Sequence, residues 1–524
     1  MYLRNINIIG FRGINRLSIT LRPNMVLIGE NAWGKSSLLD ALSLIFNTQH
    51  TFYQFVSEDF HLQHNKNHQQ SQQLMLLFTF SESFIGEKNE DNCRPYSALF
   101  AAHEDNYHRL YLRVSGEINE NGSVMTQYAF LNQSGEEIQH DNAEALIISL
   151  IQKFTVYRFR DARLNHRANS AKPLGCEGIG KEHQLYEEIE AFSLLLQYYF
   201  FSSKSARTFV SQLKDTTELW QKVKNLCIQL KKGDSCLRRE VFEQLSQLFV
   251  SPLQVKTERI SHPIVLFEDP DARLHPRMMA IIWELMSYLP IQRITTTNSV
   301  ELLSRVELRS ICRLVRYPNE TKAFQLAKYS LSKQALRRLT FHIHYNRSIA
   351  LFSNVWIFVE GETEVWLLSA LADLLDINLE MEGIRIVEFA QSGLTHLLKY
   401  AKAMGIEWHV LTDGDSAGQK YAEVVKQMLD ENESVFERLT ILPKKDIEHF
   451  LYFSGFSSVF LQLARWKPQG NYYPVSKIIN AAIKRTSKPD LALAISEEIE
   501  KIGPQAIPTL FHRLFSKVLN LTKV

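Results

Sequence analysis

Two groups of residues have the types and spacing to do chemistry. The first lies late in the chain, in Val355-Trp-Ile-Phe-Val-Glu360-Gly-Glu-Thr-Glu364 and His409-Val-Leu-Thr-Asp413-Gly-Asp415-Ser-Ala-Gly418. Glu360, Glu364, Asp413 and Asp415 converge if each apolar run is a buried parallel strand, because working groups gather past the carboxyl ends of such strands. Four carboxylates sharing a small site raise one another's pKa, and a divalent metal resolves the conflict. Oxygen-only ligation suits Mg2+ or Mn2+. The second group is Gly29-Glu-Asn31-Ala-Trp-Gly34-Lys35-Ser36-Ser37, which fits G-x-x-x-x-G-K-S. Backbone N–H groups around Gly29, Asn31 and Gly34 would wrap phosphates, and Lys35 would reach the β and γ oxygens of ATP. The Ser36 hydroxyl would ligate Mg2+, with Ser37 next to it.

These residues need elements to hold them. Met25-Val-Leu-Ile28 reads as the strand before the phosphate loop. Ser37 to Phe46 has apolar residues at helical spacing, which puts the phosphates at a helix N-terminus. Tyr2 to Ile9 and Leu17 to Leu21 read as earlier strands. Leu74 to Phe130 reads as an antiparallel sheet with an Asn121-Gly122 turn. His262-Pro-Ile-Val-Leu-Phe-Glu268-Asp269-Pro-Asp271 is a further apolar strand ending in acids. Between them, residues 182–250 change to long helical patterns. Leu308 to Arg316 and Lys333 to Arg347 read as basic helices, as do most of the last sixty residues. Gln, His and Asn crowd residues 61–73, a solvated loop in which His61, His64 and His68 could otherwise suggest metal. Tyr157-Arg-Phe-Arg160-Asp-Ala-Arg163 interleaves arginines with aromatics; a strand of the same sheet and a DNA-contacting strip are both open readings.

The bulk numbers narrow the class. With 524 residues the chain expects two to four domains, and 45% hydrophobic with 22% charged is ordinary for a globular protein. A net charge of +2 supplies no global field for nucleic acid, so any DNA surface is local. Five cysteines without a C-x-x-C pair argue against a disulfide framework or a zinc site. No apolar run is long enough to span a bilayer. A cytoplasmic protein with no membrane partner is expected.

Family resemblances sharpen this. Gly10-Phe-Arg-Gly13 with the phosphate-loop wording resembles ABC-type ATPases of the SMC kind, and E-G-x-x-E followed by D-G-D resembles a Toprim domain. Their order resembles the OLD (overcoming lysogenisation defect) family of ATP-dependent endonucleases. The resemblance implies an α/β fold: an ABC-type ATPase over 1–170 and 256–345, interrupted by a helical, dimer-forming insertion at 171–255. A Toprim domain follows at 350–460, then a helical segment at 461–524. It implies Glu360 as metal ligand or general base, with Glu364, Asp413, Asp415 and Glu448 as further ligands of a two-metal site. Lys488 resembles the family's late lysine, although a solvent-facing helix lysine is an equal reading. In the ATPase, Glu268 would hold Mg2+ through water and Asp269 would polarise the attacking water. Asn298, in Thr-Thr-Thr-Asn298-Ser299, stands where the switch strand normally carries His. That departure, the short Asp269 and the missing L-S-G-G-like signature between Ala168 and Ile264 imply slow ATP turnover. ATP, DNA and a second copy of the chain are the implied partners, with any partner protein unidentified. The rival reading is a DNA-binding ATP switch in repair or phage sensing whose Toprim domain does not cut.

Overall fold

The computed structural model describes the chain apart from residues 63–69, 160–182, 201–215, 247–262, 273, 329, 344–347, 391, 468–473 and 524. It divides into two compact units, Met1–Phe324 and Gln325–Val524.

The first unit holds two six-stranded sheets. One is antiparallel: β1 (Tyr2–Phe11), β2 (Ile14–Thr20), β4 (Gln73–Ser81), β5 (Ala101–Ala102), β6 (His108–Ile118) and β7 (Val124–Leu131). Alternate residues of β6 are buried, the pattern of a sheet with one face on the core. The expected hairpin closes β6 on β7, with Asn119 N–H donating to Ser123 O at 2.9 Å. The other sheet runs β12 (Thr321–Gln325), β11 (Ile311–Arg316), β3 (Asn24–Ile28), β10 (Gln292–Thr296), β9 (Ile264–Glu268) and β8 (Val156–Phe159). From β11 to β8 every pairing is parallel. β3, β9 and β10 are buried almost throughout because both faces of the sheet are covered. One apolar core joins the two sheets and the helix Lys35–Ile45.

Two expectations change here. Leu308–Arg316 is not a helix: a short turn leads into β11, which pairs with β3. Within it Arg313 is buried and lies 6.0 Å from the Trp33 ring. His61 is buried rather than solvated, its Nδ1 2.6 Å from Arg12 O, while His64 and His68 lie outside the described residues. The helical block contains Tyr186–Phe200, Thr217–Lys232 and Ser235–Ser246. Leu219, Val223, Leu226 and Leu230 bury one stripe of the middle helix against its neighbours.

The second unit is built on a parallel sheet ordered β14 (Ile384–Glu388), β13 (Val355–Val359), β15 (Glu407–Thr412) and β16 (Leu439–Ile441). The chain leaves β13 to one side for β14, then crosses to the other for β15. The crevice between the ends of β13 and β15 is therefore the topological switch point, where open parallel sheets bind ligands. The helices Glu362–Leu374, Val475–Arg485, Lys488–Ile502 and Thr509–Leu521 share a single apolar core with this sheet. Lys333–Phe341 is helical as expected.

Candidate functional site

The phosphate loop leaves β3 and enters the helix Lys35–Ile45 through Gly34, whose φ of 95° is the left-handed conformation glycine tolerates best. Lys35 is almost buried and lies inside its own loop. Its Nζ donates to Gly29 O, to Glu30 O at 3.3 Å and to Asn298 Oδ1 at 3.3 Å. Burial lowers the Lys35 pKa, opposed by the charges of Asp269 and Glu30. Ser36 Oγ stands 3.5 Å from Glu268 Oε1, so the loop hydroxyl and the end of β9 meet. Ser37 Oγ accepts from Gly13 N–H at 3.3 Å and fastens the Gly10–Gly13 corner to the helix. Asp269 is half-buried at a φ of 44°. Thr296 Oγ1 donates to its Oδ1 at 3.2 Å, yet burial dominates and raises its pKa. Asp271 accepts from Thr297 Oγ1 at 2.6 Å. The hard oxygens of Ser36 and Glu268 beside a buried lysine fit a nucleotide with Mg2+.

In the second unit, β13 delivers Glu360 and β15 delivers Asp413. The register pairs Phe358 with Val410, and continuing it sets Glu360 opposite Thr412, one residue before Asp413. Glu364 is buried in the first turn of Glu362–Leu374 and accepts from Gly361 N–H at 3.2 Å. Asp415 caps Ser416–Met428, its Oδ1 accepting from Ala417 N–H at 2.9 Å and Gly418 N–H at 2.8 Å. Asp446 caps Ile447–Leu451 in the same way, and Glu448 lies in that helix's first turn. Asp413 shows how close these groups are. Burial first, then the charges of Glu364, Glu360, Asp446 and Glu448, push its carboxyl up to about 8. Burial and Asp415 also raise Glu360, whose buried Oε2 has no hydrogen-bond partner. Among the described residues no three such groups already enclose a point as a cage. An orphaned carboxylate oxygen and a carboxyl pushed up by burial and by its acidic neighbours fit a hard divalent cation.

The sequence reading missed three participants. Asp446 was overlooked in favour of Glu448, although its place three residues before His449 is a helix-capping signal. Arg158 is the second: the 157–160 run is a strand of the parallel sheet at least through Phe159, and Arg158 pairs with Glu268 and Asp40. Arg160 and Arg163 lie outside the described residues, as does nearly half of the span from Ala168 to Ile264 in which the L-S-G-G-like signature is missing. Thr296 is the third, and only the fold brings it to Asp269. Lys488 opens the helix Lys488–Ile502 behind a Ser487 cap, and that helix packs on Glu362–Leu374. Its side chain lies outside the described set.

The chain is similar in sequence to known proteins. Residues 1–350 match the family described as "Protein of unknown function (DUF2813)", and residues 351–415 match "Overcoming lysogenization defect protein-like, TOPRIM domain". "Uncharacterized protein YbjD" of Escherichia coli (strain K12) is 38% identical over 552 residues, spanning 100% of this chain and 99% of that protein. "Endonuclease GajA" of Bacillus cereus (strain VD045) is 22% identical over 465 residues, spanning 82% of this chain and 78% of that protein. Among solved structures, the C-terminal region of the Burkholderia pseudomallei OLD protein aligns at a TM-score of 0.27 and 19% identity, covering 33% of this chain and 99% of that one. The SMC head domain from Thermotoga maritima aligns at 0.29 and 10% identity, covering 62% and 100%. By the family match over its first 350 residues and a relative similar from end to end, the chain belongs to the DUF2813 family, and its residues 351–415 match an OLD-like Toprim domain.

Proposed function

We propose that this protein is an ATP-binding, divalent-metal-dependent DNA endonuclease that acts as a homodimer. The carrying observation is the acid cluster at the switch point, where burial and then four neighbouring carboxylates push Asp413 up to about 8. So costly a concentration of charge is characteristic of a functional site rather than of a packing device. Glu360, Glu364, Asp413, Asp415 and Glu448 would hold the metal, with Asp446 supporting Asp413. A bound Mg2+ or Mn2+ supplies Lewis acidity and a water acidic enough to attack a phosphodiester near neutral pH. Glu360, with its unpartnered oxygen, would serve as one of these ligands or as the general base toward a water. Lys488 is the candidate to offset charge on the scissile phosphate. In the first unit Gly29, Gly34, Lys35 and Ser36 would bind ATP, with Glu268, Asp269 and Asn298 around the γ-phosphate. The Lys35–Asn298 contact supports a clamp: phosphates entering the loop compete for the lysine that now holds the end of β10. The likeness to an endonuclease supports the reading.

A plasmid-nicking assay with Mg2+ and then Mn2+ tests it. Wild type nicks in a metal-dependent way, and Asp413→Ala, checked for an unchanged fold by circular dichroism, does not. Full activity in Asp413→Ala sinks the site assignment. No nicking with either metal, alongside intact ATP binding, favours the DNA-binding switch instead.

A further inference from the structure

Arg158 lies in β8, at the edge of the parallel sheet, and pairing with β9 sets it opposite Leu266. Its side chain runs along β9 to Glu268. There Nε and Nη2 both donate to one oxygen, Oε2, at 3.0 and 2.8 Å. Its third nitrogen, Nη1, donates to Asp40 Oδ1 and lies 3.5 Å from Ser43 Oγ, both on the phosphate-loop helix. Glu268 is left with Oε1 turned to Ser36 Oγ. The guanidinium thus divides the acid's two oxygens between two tasks. Side-chain exposures of 15% for Arg158, 19% for Glu268 and 23% for Asp40 separate this grouping from a solvated surface pair of little value. A rigid guanidinium fork gripping a carboxylate from two nitrogens fixes orientation as well as charge, which lysine cannot do.

We infer that Arg158 is a positioning residue for the Mg2+ of bound ATP, acting through Glu268. By saturating Oε2 it keeps Oε1 aimed at Ser36, and it offsets the acid's charge beside a triphosphate. The inference rests on the reading of Ser36 and Glu268 as the Mg2+·ATP pair. A mere staple between β8 and the helix would change stability and leave the metal dependence of nucleotide binding untouched.

The test measures binding of a fluorescent ATP to the full chain, first in chelator and then across a Mg2+ titration. The variants are Arg158→Gln, Glu268→Gln and the double substitution. Arg158→Gln, which loses both charge-assisted hydrogen bonds to Oε2, is expected to raise the Mg2+ concentration for half-maximal binding about tenfold or more. Binding in chelator stays within about threefold, because the phosphate-loop contacts remain. The double variant is no worse than Glu268→Gln alone, since the two residues act as one unit. Arg158→Lys keeps the charge without the fork, shows an intermediate shift, and carries the test if the Gln variant does not fold. A lower melting temperature with wild-type Mg2+ dependence overturns the inference, as do additive effects in the double variant. A wild type that binds no ATP at all overturns the nucleotide-site reading, and this inference with it.

Discussion

Titrating Mg2+ or Mn2+ into the protein is expected to expel a proton, with Asp413 as its source. Without metal, burial and the charges of Glu364, Glu360, Asp446 and Glu448 push that carboxyl up to about 8. Such a group carries about 0.9 proton near pH 7 and about 0.1 near pH 9, and a bound cation requires it empty. Metal binding therefore releases close to one proton from Asp413 at neutral pH and almost none at the alkaline end. Affinity climbs with pH over the same interval and then levels. The stability effect has the opposite sign to that of an ion-paired aspartate. The folded pKa lies above the unfolded value of about 3.9, so the metal-free protein loses stability as pH rises from about 4 to about 8 and changes little beyond. Calorimetry in two buffers of different ionisation enthalpy counts the protons. Asp413→Asn, similar in shape but uncharged, should abolish the release and raise the metal-free melting temperature at mildly alkaline pH. Undiminished release in Asp413→Asn, or wild-type release that ignores pH between about 6.5 and 9, would refute the reasoning.

Three further outcomes are expected. A Cβ on Gly418 would overlap Asp413 O and stand 2.7 Å from the Asp413 carbonyl carbon, so Gly418→Ala must displace the D-G-D loop. A displacement of ~1 Å can cost ~10²-fold in rate, and nicking within about threefold of wild type would contradict this. ATP should bind tightly and turn over well below about one per second, because Asp269 is one methylene shorter than Glu and its carboxylate would stand short of the attacking water. Rapid phosphate release that Asp269→Ala removes would show the shorter acid to be fully competent. Light scattering of the full chain should give twice the 60.7 kDa chain mass; a single-chain mass at every concentration would exclude the dimer.

Much of this site was legible because its signals are local. A buried parallel strand ending in an acid, or a glycine loop feeding a helix, is written within a dozen residues, and both motifs stand where their spacing puts them. What was not legible depends on residues far apart in sequence. Arg158 and Glu268 are 110 positions apart, and nothing near either announces the pair. Leu308–Arg316 reads locally as a basic helix, and only the fold pairs it with β3 and buries Arg313 near Trp33. Asp446 lost to Glu448 because a capping role and an electrostatic role look alike until the fold sets the carboxylate near Asp413.

The core that the sheet of the second unit shares with its C-terminal helices has a practical consequence for anyone cutting this gene. The Toprim family match stops at residue 415, inside the D-G-D loop, and a fragment trimmed there would lack β16, Asp446 and the helices that close the interior. The smallest portable cassette runs from about Gln325 onward and retains Thr509–Leu521, where Phe511, Leu514 and Phe515 are fully buried. The acids occupy a few turns of chain, and two hundred residues are the unit in which they can be inherited, swapped or transplanted.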